Sequence, residues 1–151
     1  MSILERMDIL IDLLAFDQNK KQGFPKKDRK LHFFDPFIQR TIYQWLRREG
    51  LLNEYDFEAA LVEACVASHC YRLGKTFYFK GQGEIDIIWL AGNKIYPIEV
   101  KWSNQVRAND LKTLKHFPNG LILGKAPQVG SVDAIKLLPV YRFLYEIEKY
   151  F

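Results

Sequence analysis

The stretch Gly83-Glu84-Ile85-Asp86-Ile87-Ile88-Trp89-Leu90-Ala91, then Gly92-Asn93, then Lys94-Ile95-Tyr96-Pro97-Ile98-Glu99-Val100-Lys101-Trp102 decides the fold. Both arms alternate in character, and Gly-Asn between two such arms is a two-residue hairpin signal. Pairing Ala91 with Lys94 sets Asp86 opposite Glu99 and Glu84 opposite Lys101. Ile85/Val100, Ile87/Ile98 and Trp89/Tyr96 then make a wholly apolar face that belongs in a core. The other face is apolar near the turn, with Ile88, Leu90 and Ile95, and charged at its open end. Opposed Cβ atoms sit roughly 4.5–5.5 Å apart. Carboxylates that close repel unless protons, Lys101 or a divalent cation neutralise them. Hard oxygen donors favour Mg2+ or Mn2+ over zinc. A solvated face with a Glu84–Lys101 surface pair is the alternative. Pro97 lacks a ladder donor, so a bulge there would shift the register.

Outward from the hairpin, Thr76–Lys80 reads as a further strand. Before it, Asp56 caps a helix with Ala60, Leu61, Ala64, Cys65 and Ala67 facing inward, ending near Gly74. After it come a helix over Asn109–Phe117, a buried strand over Gly120–Leu123, and a closing strand or helix over Leu137–Phe151. Asp35-Pro36 opens another helix, carrying Phe37, Ile38, Ile42, Trp45 and Leu46 and closed by Gly50. Leu4, Met7, Leu10, Ile11 and Leu14 fall at helical spacing, which predicts a helix over 4–15. Helix, three strands, helix, strand is the order of an α/β sandwich around a mixed sheet.

The chain of 151 residues carries 22 Lys+Arg against 18 Asp+Glu, a formal net charge of +4, and is 48% hydrophobic. That content excludes a disordered chain. The longest run free of Asp, Glu, Lys and Arg is nine residues, His116–Gly124, too short for a membrane span. The opening residues lack the basic-then-apolar order of a secretory signal, so a cytoplasmic location is expected. Cys65 and Cys70 have neither zinc-knuckle nor redox spacing and read as small apolar residues of a helix. The charge is segregated. Residues 20–30 hold six bases (Lys20, Lys21, Lys26, Lys27, Arg29, Lys30) against one acid, and Arg107, Lys112 and Lys115 add to a second basic segment. Residues 49–63 hold five acids and no base. Basic segments flanking a carboxylate cluster suit a phosphate-bearing partner.

Asp86, then twelve residues, then Glu99-Val100-Lys101, resembles the motif of the PD-(D/E)XK nuclease superfamily, with Ile85 where the motif has proline. Leu61-Val62-Glu63 stands where Holliday-junction resolvases among its members keep an accessory glutamate. Phe33-Phe34-Asp35-Pro36-Phe37-Ile38, Leu61-Val62-Glu63, Gly83-Glu84-Ile85-Asp86 and Ile98-Glu99-Val100-Lys101 together resemble the C-terminal nuclease-like domain of archaeal-type P-loop ATPases. The resemblance implies a restriction-endonuclease-like core over 51–151. Residues 1–50, with an N-terminal helix, a basic loop or hairpin and a second helix, then resemble the tail of a winged-helix unit. It further implies metal-dependent hydrolysis of DNA, branched or single-stranded. Asp86, Glu99 and the Val100 carbonyl would hold Mg2+ or Mn2+, Lys101 would orient the attacking water, and Glu63 would assist through water or a second ion. An ATPase module in cis or trans and a homodimer are the implied partners. A non-catalytic DNA-binding or regulatory module serving an ATPase is the competing reading, and a small interaction domain a third. The chain has no Walker A loop: Gly120–Ala126 is one residue short and ends in alanine.

Overall fold

The computed structural model describes residues 3–46, 54–103, 108–125 and 129–150. The elements are α1 (Ile3–Arg6), β1 (Leu10–Asp17), β2 (Gln22–Phe33), α2 (Pro36–Leu46), α3 (Glu54–Leu73), β3 (Lys75–Lys80), β4 (Glu84–Ala91) and β5 (Lys94–Lys101). They continue with α4 (Ala108–Leu114), β6 (Leu121–Gly124), β7 (Gly130–Val132), β8 (Ile135–Pro139) and α5 (Val140–Glu146), then a 3-10 turn at Ile147–Tyr150. The eight strands form one sheet in the order β2-β1-β3-β4-β5-β6-β8-β7. The chain is a mixed α/β domain, as the alternation predicts.

The β4–β5 hairpin has the expected register, from Ala91 opposite Lys94 to Ile87 opposite Ile98, and Gly92 takes the positive φ of the turn, 56°. Pro97 causes no bulge. It pairs with Ile88, and the parallel ladder on the other side of β5 begins one residue later, at Ile98 opposite Leu121, so no donor is missing. The irregularity lies on β4's other edge. Phe77 pairs with Ile88 but Phe79 with Ile85, so Asp86 and Ile87 together oppose Tyr78. This β-bulge breaks the alternation of β4. Ile85, expected beside Ile87, packs instead with Ile88 and Ile122 on the opposite face.

Two cores follow from the two faces. On one, Ile87, Trp89, Tyr96 and Ile98 meet Val66, Ala67 and Cys70 of α3 and Val140 and Phe143 of α5. On the other, Ile85, Ile88 and Ile122 meet Leu114 of α4. Gly74 closes α3 where the chain passes close to β4: a Cβ there would lie 2.4 Å from the Leu90 carbonyl oxygen. Cys70 is buried and Cys65 half-buried; both are free thiols.

The N-terminal expectation is corrected. Residues 10–17 form a strand, and only Ile3–Arg6 is helical. Ile11, Leu13 and Ala15 alternate into the α3-side core with no exposed surface, which a helix face could not arrange. β1 joins the sheet beside β3, with Ala15 opposite Tyr78, and pairs antiparallel with β2. The basic run is therefore part of a long strand, β2. The Asp35 cap holds: its Oδ1 accepts from the Phe37 amide at 2.8 Å. Gly50, the expected end of α2, lies outside the described residues.

Candidate active site: a carboxylate cluster bridged by Lys30

The antiparallel ladder of β4 and β5 ends at Ile87–Ile98, and side chains take over beyond it. Asp86 Oδ2 accepts from the Val100 amide at 2.9 Å, and the Glu99 carboxylate accepts from the Asp86 backbone. The two acids predicted to face each other are thus tied across the strands by side chain–backbone bonds, Asp86 to Val100 and Glu99 to Asp86. Lys101 Nζ lies 2.7 Å from Glu99 Oε1, so Lys101 pairs along its own strand and not with Glu84 as the register predicts.

Helix α3 supplies Glu63 from above the sheet. Its placement is fixed at both ends of the site. Ser68 Oγ donates to the Phe34 carbonyl at 2.6 Å, tying α3 to the end of β2. Tyr55 Oη donates to the Trp102 carbonyl at 2.8 Å and Trp102 Nε1 donates to Glu58 at 3.1 Å, tying α3 to the end of β5.

Lys30 stands among these acids. Its Nζ lies 2.6 Å from Glu63 Oε1, 3.2 Å from Asp86 Oδ1 and 3.5 Å from Glu84 Oε1. It was expected to contact phosphate with the rest of the basic run, and the alternation of β2 turns it inward together with His32. Burial works against the Lys30 ammonium, but Asp86 and Glu63 outweigh it and raise its pKa. Burial, and next Lys30, lower His32 to about 4. His32 is therefore neutral at pH 7, and the 3.7 Å approach of its Nε2 to Glu63 Oε1 is not an ion pair. That buried nitrogen has no hydrogen-bond partner. His32 carries no motif; only the two-residue period of Lys30-Leu31-His32 signals it.

Burial, then the Asp86 carboxylate, push Glu99 up to about 7, while Lys101 pulls it down. Burial and Asp86 also raise Glu63. Negative charge is thus in excess even with two lysines present. Oxygen donors of this kind suit a hard divalent cation. Among the described residues, however, no group of three His, Cys, Asp or Glu side chains is gathered to hold a metal as it stands. The acids are spread around the Lys30 ammonium.

The raised Glu99 pKa predicts a pH dependence. A carboxyl whose folded pKa exceeds its ordinary 4.5 stabilises the fold below that value and loses this contribution as pH rises through about 7. His32 acts in the opposite sense as pH rises through its ordinary 6.5, and offsets part of this loss. From pH 6.5 to 8 in EDTA, with Asp86, Lys101 and the Lys30–Glu63–Glu84 group around Glu99, stability should fall by about 0.5 kcal/mol. Thermal unfolding should show a Tm lower by about 1–2 °C at pH 8, and Glu99→Gln should abolish that fall. An equal slope in the variant would remove Glu99 as its cause.

The other predicted phosphate contacts are dispersed. Lys20, Lys21 and Lys26 are exposed along the β1–β2 hairpin, whereas Arg29 pairs with Asp12 and Lys27 Nζ donates to the Lys80 carbonyl at 2.9 Å. Lys112 of α4 and Lys115 just after it are exposed, across the sheet from α3, and Lys115 pairs with Asp133 at 2.8 Å. Arg107 lies outside the described residues.

Fold and site define a mixed α/β domain with a lysine-bridged carboxylate cluster where the open end of the β4–β5 hairpin meets the long helix α3. The chain belongs to the family described as a domain of unknown function, DUF4143, whose model matches residues 58–140. That segment contains Glu63, Glu84, Asp86, Glu99 and Lys101. No curated protein and no solved structure shows significant similarity to the chain. No helix among the described residues is long and apolar enough to cross a membrane.

Proposed function

We propose that this domain is a Mg2+- or Mn2+-dependent DNA phosphodiesterase built on a restriction-endonuclease-like core. One observation carries the reading: Asp86, Glu99 and Lys101 of one hairpin meet Glu63 of a separate helix at the open end of β4–β5 under α3. The element order supports it, with α3, the meander β3-β4-β5, α4 and β6 in succession. Asp86 and Glu99, with the Val100 carbonyl, would hold the cation, and Glu63 would join them through water. Bound there, such a cation would supply Lewis acidity at the phosphate and would acidify a coordinated water. Lys101 holds its ammonium beside Glu99, where it offsets the charge gathering on the phosphate oxygens as water adds to phosphorus and the P–O bond to the leaving sugar breaks. The exposed lysines of the β1–β2 hairpin supply salt-dependent attraction to the DNA backbone. The resemblance adds an ATPase module as partner.

Incubation with branched, single-stranded and duplex DNA plus Mn2+ tests the activity. Lys101→Ala should lower the cleavage rate by about 10²-fold or more with Mn2+ binding retained. Equal cleavage by the variant would assign the activity to a contaminant. A second reading is favoured by Lys30, whose ion pairs offset part of the acids' charge without metal: a non-catalytic DNA-binding module of an ATPase. It predicts DNA binding that falls with salt and ignores chelators.

A further inference from the structure

The position of Lys30 has a meaning beyond charge balance. β1 and β2 pair with a jump in register: Leu14 and Ala15 are consecutive, yet their partners are Arg29 and Phe24. Residues 25–28 are therefore extra on β2. They are pinned on β3, where Tyr78 Oη donates to the Asp28 carbonyl at 2.5 Å and Lys80 Nζ pairs with Asp28 Oδ2 at 3.1 Å. On the far side of Lys30, Ser68 holds the Phe34 carbonyl. The backbone on both sides of Lys30 is anchored, and four methylene groups carry its charge inward. A lysine of an edge strand ordinarily turns to solvent, as Lys26 does. Here Nζ reaches carboxylates of two other elements, Glu63 of α3 and Asp86 and Glu84 of β4. The side chain is still 23% exposed, so a route to water remains open. The β1–β2 hairpin also lies outside the segment that matches the family, which itself contains every acid of the cluster.

We infer that Lys30 is a tethered cationic plug: its ammonium occupies Asp86 and Glu63, two of the acids that would hold a divalent cation, with Glu84 beside them, and metal enters as the side chain swings out. The inference rests on the metal-dependent reading of the cluster and adds a control to it. Metal and ammonium compete, so the apparent affinity for metal is reduced by the fraction of molecules with Lys30 seated. DNA phosphate, drawn to the same ammonium, would help to unseat it and so couple metal entry to substrate arrival.

Calorimetric titration with MnCl2 of the wild type, Lys30→Met, Asp86→Asn and the double variant tests this. Lys30→Met should bind Mn2+ about tenfold tighter than the wild type or better, and both variants carrying Asp86→Asn should give no heat. Equal affinity in wild type and Lys30→Met, lost with Asp86→Asn, overturns the plug and leaves the metal site standing. No heat in any of the four overturns the metal reading and the plug with it. A second measurement needs only the wild type. Reductive methylation followed by peptide mass spectrometry should label Lys30 more slowly than Lys26 in EDTA, and saturating Mn2+ should accelerate Lys30 alone. Unchanged labelling of Lys30 with Mn2+ bound also overturns the plug.

Discussion

Asp86→Asn is expected to reduce Mn2+-dependent DNA cleavage by at least about 10²-fold and to abolish calorimetric Mn2+ binding, with the fold intact. The reason lies in the two oxygens of the carboxylate. Oδ2 accepts the Val100 amide at 2.9 Å, a bond that an asparagine carbonyl reproduces. Oδ1 faces Lys30 at 3.2 Å and carries the charge that a cation would need. The substitution therefore removes charge while keeping the bond that holds β4 to β5. Circular dichroism should match the wild type and Tm should stay within a few degrees. Undiminished cleavage would separate the activity from this cluster.

Leu13→Ala should destabilise the protein by about 2–5 kcal/mol in urea unfolding, the cost of a large-to-small change in a packed core. Leu13 has no exposed surface and belongs to the core that α3 and α5 cover. The value discriminates between two structures of the same residues. On a helix over 4–15 Leu13 falls off the stripe of Leu4, Met7, Leu10, Ile11 and Leu14, and truncating a side chain on the solvent side costs about 0.5 kcal/mol or less. A small effect would return β1 to the helical reading.

Residues 10–17 show why that reading arises from sequence. Leu-Ile-Asp-Leu-Leu-Ala-Phe-Asp is apolar at six of eight positions, so it satisfies both a 3.6-residue period and a strand buried on two faces. Pairing with β2 and β3 settles the choice, and a local pattern does not carry those partners. β4 and β5 are legible because their alternation is joined to a Gly-Asn turn. β7 leaves no such mark: its turn to β8 uses Asp133 and Ala134, both at positive φ, and alanine gives no turn signal.

The candidate site divides along the same line. Asp86, Glu99 and Lys101 lie on one hairpin, so spacing and register nearly suffice to bring them together, and Glu63 follows from the helix before it. The bulge at Asp86–Ile87 is not legible, because it is set by the pairing with Tyr78 on a different strand. The role of Lys30 is least legible of all. Its contact with Asp86 joins residues 56 apart, and in sequence Lys30 is one base among six.

The basic run also answers a problem of solubility. β2 is twelve residues long and forms one rim of the sheet, with a row of backbone donors and acceptors that no other strand among the described residues satisfies. Such a rim invites the rim of another molecule to zip against it. Pro25, which removes a donor, and the exposed Lys26, Lys27, Asp28 and Arg29, which repel or hydrate, interrupt that rim at its middle. Whatever these lysines do for a phosphate backbone, they also keep the molecule from polymerising through its own sheet.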